Sequence, residues 1–582
     1  MASKKYYTTE ELIDLVENEE FWKADIFITP PNDGQMSEED SDDDEMPTLN
    51  INHLSGRQLA AEAVAKFHGL DGTTYIYEDG EVSNDYQDWD SEDEIPLAQL
   101  LPDIRRKFIE RDWKKCDLDI NFPEFISPKV SPPPQHPDAV TCFEVFFDMD
   151  LWTYLKEMFV LYATQKGDYN FDITVDEIKC FVGILFLSGH LQVPRWRMLW
   201  EVDSDTYNPM VANAMRRNRF DKIKKYVHCA DNMNLVPSDK FAKIRPIFDM
   251  LNKRFLDHAF MNEKMSIDES MIPYFGRHGT KQFIKGKPIR YGYKVWCLCD
   301  PCGYLIQFDP YQGKQNNRQY MELGVGGSVV RTLLSKLPPH VPFKIYGDRY
   351  FSSLKLVNEL QKLGYGYTGT INPNRTEHCP LPSKSEVKKT PRGSYTYMTD
   401  RTTGITLTSW NDNRPVLTVS SCDPVNPIGQ VNRWVSAEKK KIPVPQPYVI
   451  GQYNKNMGGV DRMDQNINNY RISIKSKKWW WALFGFSLDS ALHNAWQIYR
   501  RQPNNEKIDF VKFRRDITNV YLKKYSNPCI GGGRPKSSKP IIARTQQNIR
   551  YDGYNHWMIP SDKQGRCAIC RKNTTKKSFN IS

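Results

Sequence analysis

The sequence has no apolar run long enough to cross a bilayer and no stretch built like a secretory leader, so it is read as neither membrane-spanning nor secreted. It is also sparing with cysteine: 12 in 582 residues, mostly scattered singly. That argues against a disulfide framework and suits a reducing compartment. Basic residues are scarce in one place only. Residues 1–100 hold 5 Lys/Arg against 26 Asp/Glu, and Ser37 to Glu45 contains no base at all. Such a single-sign run does not bury itself, so residues 1–125 are expected to form an acidic, mostly disordered region, with one short helical patch from Thr9 to Trp22. It reads either as a solvated tail or as an arm that competes for the basic body. Ser131-Pro132-Pro133-Pro134 then reads as a linker.

Plenty of charge of the other sign follows. The remaining residues hold 74 Lys/Arg against 45 Asp/Glu, so a net of −21 in the first 100 residues is set against +29 in the rest. A body that basic points to a polyanion, nucleic acid first, and nothing points to a membrane or a small-molecule substrate. A chain of this length should hold several domains.

Three stretches carry acids in settings that suggest chemistry. Lys264 to Met271 reads as a short strand bearing Asp268, and Pro342 to Phe351 as an apolar strand that ends at Asp348. Open α/β sheets place their ligands at such strand ends. Tyr453 to Gln465 puts Asp461 and Asp464 three residues apart after Gly458-Gly459, with a helical apolar pattern running on through Ile467, Ile472, Trp479, Leu483, Leu488, Leu492 and Trp496. A helix opening near Gly459 would hold both acids in its first turn, where an isolated D-x-x-D more often only stabilises the helix. Converging carboxylates repel one another and titrate high, and a hard divalent cation such as Mg²⁺ removes that penalty. Two such ions activate a water or a 3′-hydroxyl and stabilise the leaving oxygen of a phosphodiester.

Elsewhere the chain alternates helical and strand-like patterns. Phe143, Phe146, Phe147, Leu151, Leu155 and Phe159 fall at helical steps, and Asp172 to Glu177 reads as a helix start. The helix from Met215 to Lys225 is basic and amphipathic, either a solvated face or a phosphate contact. Strands are expected at Tyr291 to Leu298, Gly303 to Phe308 and Gly364 to Ile371, with a helix from Val329 to Leu337. Cys297, Cys299 and Cys302 read as buried thiols, since no His partner lies near. Lys281, Lys285, Lys287 and Arg290 form a basic run beside the first acid, suited to a scissile phosphate. Tyr470 to Trp481 interleaves bases, among them Lys475, Lys477 and Lys478, with aromatics, and the run Trp479-Trp480-Trp481 reads as helix core or as a base-stacking platform. Gly531-Gly532-Gly533-Arg534-Pro535-Lys536 is similar to a minor-groove arm, and equally to a plain basic linker.

Five ordered motifs resemble those of the piggyBac transposase family: Ser266-Ile267-Asp268-Glu269, Pro273 to Arg277, Lys287 to Gly292, Asp348 to Ser353, and Tyr453 to Gln465. The resemblance spans roughly residues 140–570. It implies a multidomain α/β protein with an RNase H-like catalytic core at 263–372 and 434–466, interrupted by a β-rich insertion at 373–433. It also implies a helical dimerisation and DNA-binding domain at 138–262 and 467–525, a basic linker at 526–565 and a Cys-rich zinc module at 566–582. Carried over residue by residue, the triad is Asp268, Asp348 and Asp461, with Asp464 as a fourth acid and two Mg²⁺ as cofactors. Arg349 departs from the family, which more often has Asn there. Cys567 and Cys570 have zinc-ligand spacing but supply two of the four ligands that tetrahedral zinc needs, so the module reads as truncated.

The function so implied is cut-and-paste DNA transposition in the nucleus by a homodimer that cleaves transposon ends through hairpins and joins them at TTAA. The alternatives are a domesticated, non-catalytic DNA-binding protein that keeps the fold, and a scaffold whose acidic tail recruits partners.

Overall fold

The computed structural model describes residues 110–119, 122–128 and nearly all of 137–526, together with strands at 7–8, 21–28, 62–69, 74–77, 556–566 and 573–580. Lys285, Arg534, Lys536, Cys567 and Cys570 lie outside the described residues, as does the Thr9–Trp22 patch apart from Phe21 and Trp22, which open a strand.

The N-terminal region differs from expectation in two places. Strands β1 (Tyr7–Thr8), β2 (Phe21–Ile28), β3 (Glu62–Gly69) and β4 (Thr74–Tyr77) pair as an antiparallel sheet. They are short apolar and aromatic runs lying between the acidic ones, which average composition hides. Residues 110–119 belong to the main body: β5 (Trp113–Lys114) pairs with a later strand, and Arg111 donates to Glu377 and Asp400, both at 2.9 Å.

Six helices follow, built as the apolar steps predict. They are α1 (Ala139–Glu144), α2 (Met149–Gln165), α3 (Val175–His190), α4 (Pro209–Ala214), α5 (Arg217–Tyr226) and α6 (Arg245–Asp257). Asp138 and Asp148 cap the first two, and Thr174 with Glu177 forms a reciprocal capping box at α3. Phe143, Phe146, Phe147, Leu151, Leu155 and Phe159 are all fully buried. On α5 much of the basic charge is spent internally: Arg219 pairs with Glu177 at 2.7 Å and Lys222 with Asp168 at 3.0 Å.

The chain then forms β6 (Lys264–Pro273), β7 (Lys281–Phe283), β8 (Tyr291–Cys299) and β9 (Leu305–Pro310), in which β8 pairs antiparallel with β6 and also with β7 and β9. Helix α7 (Gly324–Leu334) crosses back to β10 (Lys344–Gly347), and α8 (Leu354–Lys362) leads to β11 (Gly366–Thr370). Both strands run parallel to β6, giving the order β9-β8-β6-β10-β11 with β6 at the centre. A short helix, α9 (Lys384–Lys388), precedes β12 (Tyr395–Asp400), β13 (Ile405–Asn411) and β14 (Pro415–Ser420).

These last three strands do not form a separate layer. β14 pairs with β11, so they extend the main sheet to ten strands among the described residues, ending at β5. Beyond them β15 (Gly429–Val435) and β16 (Lys440–Gln446) form a two-stranded ribbon. Its Val431, Ile442 and Val444 pack against Trp410 of β13.

Four helices close the body: α10 (Tyr448–Asn456), α11 (Gly459–Asn469), α12 (Trp481–Arg501) and α13 (Phe510–Lys524). The apolar pattern downstream of Asp464 predicts continuous helix, but α11 ends at Asn469 and residues 470–480 run irregularly into α12. Ile472 and Trp479 keep helical spacing there by packing against the core from an irregular backbone. Helix α12 is buried along most of its length, and inside it Asp489 accepts from Arg514 of α13 at 2.9 Å with both side chains fully buried. Cys529–Ser582 form a second unit, in which β17 (His556–Arg566) and β18 (Asn573–Asn580) pair antiparallel.

Candidate active site

Strand parity builds the site. Side chains two apart on a strand share a face, and in-register residues of parallel neighbours stand side by side. Gly347, the last residue of β10, pairs with Ile267 of β6, so the next residues, Asp348 just past the end of β10 and Asp268 in the middle of β6, fall in one row. On the same face Ser266 lies one step back and Ser270 one step forward.

Helix α11 is clamped over this face. A Cβ on Gly459 would meet the Asp300 carbonyl oxygen at 2.3 Å and Ser266 Oγ at 2.5 Å, so only glycine allows the approach. Arg462 donates to the Pro301 carbonyl, and Ser270 Oγ donates to Asp464 Oδ1 at 2.5 Å. Asp461 projects from the first turn between these two anchors and is exposed. The helix starts at Gly459 as expected, but only Asp461 lies in its first turn; Asp464 falls in the second, where Ser270 meets it.

The electrostatics follow from burial. Burial, then the neighbouring Glu269 carboxyl, holds Asp268 well above the usual carboxylate range, against the pull of Lys287. Asp348 is pushed up to about 6 by burial and by Glu269, although it accepts from Tyr350 N at 2.9 Å. Asp464 is likewise pushed up to about 6 by burial, opposed by its bond from Ser270. Glu269 moves the other way: burial opposes ionisation, but the Lys294 and Lys287 ammonium groups outweigh it.

Glu269, in sequence only the neighbour of Asp268 in its motif, is a principal charge here. Lys287 pairs with it at 3.1 Å, so this lysine is turned to the acids rather than held free for a phosphate. Lys294, over the Trp296 ring at 4.0 Å, completes the cationic side. The signal for Glu269 was its place beside Asp268.

Other expected contacts are distributed differently. Lys281, on β7, and Arg290, just before β8, are half-buried. Lys475 and Lys477 are exposed in the irregular segment. Lys478 is a brace: its ammonium donates to the Lys225 carbonyl at 2.6 Å and the Val227 carbonyl at 3.0 Å, fixing the segment to the end of α5. The three tryptophans are part of the core. Trp480 and Trp481 are buried, and Trp479 stacks on His278 at 4.3 Å. Cys297 and Cys299 are buried thiols and Cys302 is exposed.

Among the described residues no three acidic, histidine or cysteine side chains are grouped as a ready-made metal cage. The donor chemistry at Asp268 and Asp348 nevertheless fits a hard cation: buried carboxyl oxygens, adjacent in one row, whose charge the fold alone leaves under-compensated.

The transposase IS4 family profile matches residues 138–496 of this chain. The human PiggyBac transposable element-derived protein 3 is 39% identical over 581 residues, covering 97% of this chain and 95% of its own length. The human PiggyBac transposable element-derived protein 2 is 36% identical over 559 residues, covering 94% and 89%. A solved piggyBac transposase synaptic complex with hairpin DNA aligns at a TM-score of 0.56 and 23% identity over 67% of this chain and 80% of that one, a likeness of fold. The chain belongs to the piggyBac transposase family.

Proposed function

We propose that the protein is a piggyBac-type DNA transposase that cleaves and rejoins phosphodiesters at an acid site formed by Asp268, Asp348 and Asp461, with Asp464 supporting the last. One observation supports this reading: β10 runs parallel to β6 with Gly347 beside Ile267, the residues just before Asp348 and Asp268, under a helix that glycine lets close over the sheet. The order β9-β8-β6-β10-β11 supports reading the central sheet as RNase H-like. Asp268 and Asp348, joined by Asp461, would hold divalent cations such as Mg²⁺, which when bound supply Lewis-acid activation of the attacking and leaving oxygens.

The chain's own residues do the rest. Ser270 and Gly459 fix α11 and with it Asp461. Glu269 and Lys287 set the charge balance around Asp268. The basic body, with Lys281, Arg290, Lys475 and Lys477, supplies phosphate contacts along duplex DNA. Family membership supports the remaining steps of the proposal, namely cleavage of transposon ends through hairpins, joining at TTAA, and action as a homodimer in the nucleus. The helices of 138–262 and 467–525 would serve dimerisation and end binding.

The test is excision in cells from a donor flanked by candidate terminal repeats and TTAA. Excision by wild type that disappears with Asp268→Asn is the expected result. No excision from wild type, with DNA binding retained, would establish the second reading, a DNA-binding protein that keeps the fold. The Lys287–Glu269 ion pair favours that reading, because it already neutralises part of the acid site.

A further inference from the structure

The acid row continues one strand beyond Asp348. Gly347 pairs with Gly369 of β11 just as it pairs with Ile267 of β6, so Thr370 falls in the row of Asp268 and Asp348 and on their face. Parallel neighbours lie about 4.8 Å apart. Thr370 is therefore the residue next to Asp348, on the side away from Asp268.

Over Thr370 stands Tyr453, brought there by α10. The helix is tied to the same sheet face by Gln452, whose Oε1 accepts from Lys264 Nζ at 2.8 Å. The Tyr453 hydroxyl lies 3.5 Å from Thr370 Oγ1, at the long limit of a hydrogen bond, so this contact orients the phenol while engaging its proton weakly. A tyrosine phenol is protonated at neutral pH and hence a donor.

Cations held by the carboxylates would offset their repulsion of a phosphodiester, and a hydrogen-bond donor in the wall adds orientation to that attraction. Lys287 is engaged by Glu269 at 3.1 Å. A neutral donor at the Asp348 end binds an anionic oxygen without adding charge to the row. Mere packing of α10 on β11 would be served equally by phenylalanine.

We propose that Tyr453, oriented by Thr370, donates a hydrogen bond to a non-bridging oxygen of the phosphodiester held at Asp268 and Asp348. The hydroxyl is a substrate-binding group of the reaction, beyond the acids themselves. This rests on the transposase reading above.

The experiment uses the full chain with Mg²⁺ and two probes. One is a supercoiled plasmid carrying candidate terminal repeats. The other is a set of end oligonucleotides with Rp or Sp phosphorothioate at the cleaved bond. Wild type, Tyr453→Phe, Thr370→Val and Asp348→Asn are compared for nicking rate, duplex binding and melting temperature.

The expected result is nicking slowed roughly 10- to 100-fold in Tyr453→Phe, the range for a lost hydrogen bond to a charged group, with binding and melting unchanged. Sulfur at one of the two stereochemical positions should slow wild type and add no further loss in Tyr453→Phe. Thr370→Val should share that stereochemical signature. Wild-type rates in both hydroxyl variants, or equal slowing on every isomer, would overturn the proposal alone, provided wild type nicks and Asp348→Asn does not. A wild type that does not nick overturns the transposase reading and this proposal with it.

Discussion

Ser270 and Asp464 are 194 positions apart in sequence and 2.5 Å apart in space, and their hydrogen bond sets where α11 lies along β6. Removing the hydroxyl leaves a buried carboxyl with one fewer partner. Ser270→Ala is expected to lower stability by about 1–2 kcal/mol, measured by denaturant unfolding. It should also reduce excision more than that loss explains, because Asp461 is positioned by the same anchor. Full excision at permissive temperature would show that Asp461 does not depend on it.

Gly459→Ala tests the close approach. An added methyl would lie 2.3 Å from the Asp300 carbonyl oxygen and 2.5 Å from Ser266 Oγ, so α11 must shift away from β6. Loss of excision with DNA binding retained is expected. In contrast, Gly458→Ala, where a Cβ meets nothing within 4 Å, should leave both unaffected.

The buried Arg514–Asp489 pair binds α13 to α12, with Asp489 also accepting from Ile472 N at 3.2 Å. Taking away one partner strands the other charge in the core. Asp489→Leu or Arg514→Met alone should each cost about 3–5 kcal/mol, and the double variant clearly less than the sum. Additive costs in a double-mutant cycle would refute the coupling.

His493 gives a pH dependence. It is fully buried, touching Asn466 and Gln497, and burial followed by Arg500 and Arg501 depresses it to about 3. Between that value and the ordinary histidine value of 6.5 the unfolded chain binds the extra proton, so His493 makes stability fall as pH drops through this window. His190 and His278, both lowered to about 4, act in the same direction. Asp348 and Asp464, raised to about 6, act oppositely, costing stability as pH rises towards 6. His493→Gln should therefore flatten the loss of melting temperature between pH 7 and pH 4 relative to wild type. An unchanged slope would mean the imidazole is not held neutral.

Much of the site was legible because its signals are local. An apolar strand ending in Asp348 and a Gly-Gly pair followed by acids each specify an element within ten residues or so, and β10 and α11 lie where these patterns put them. The break after Asn469 was not legible, since Ile472 and Trp479 preserve helical spacing on a non-helical backbone. The joining of β14 to β11 was hidden for another reason: strand partners are chosen by long-range packing, which no window of sequence contains. Lys287 illustrates a third limit. Its charge was plain from sequence, but its partner, Glu269, was a matter of folding.

The register of β6, β10 and β11 also makes the site a question of odd and even. All three strands run the same way, so Asp268, Asp348 and Thr370 share a face only while the count along each strand keeps its parity. Losing a single residue ahead of Asp348 within β10 would turn that carboxylate to the opposite face with every codon around it intact. Losing two would shorten the strand and keep the acid facing its neighbours. Single-residue indels in these strands should therefore silence a copy as completely as losing an acid, leaving every motif residue still readable in its sequence.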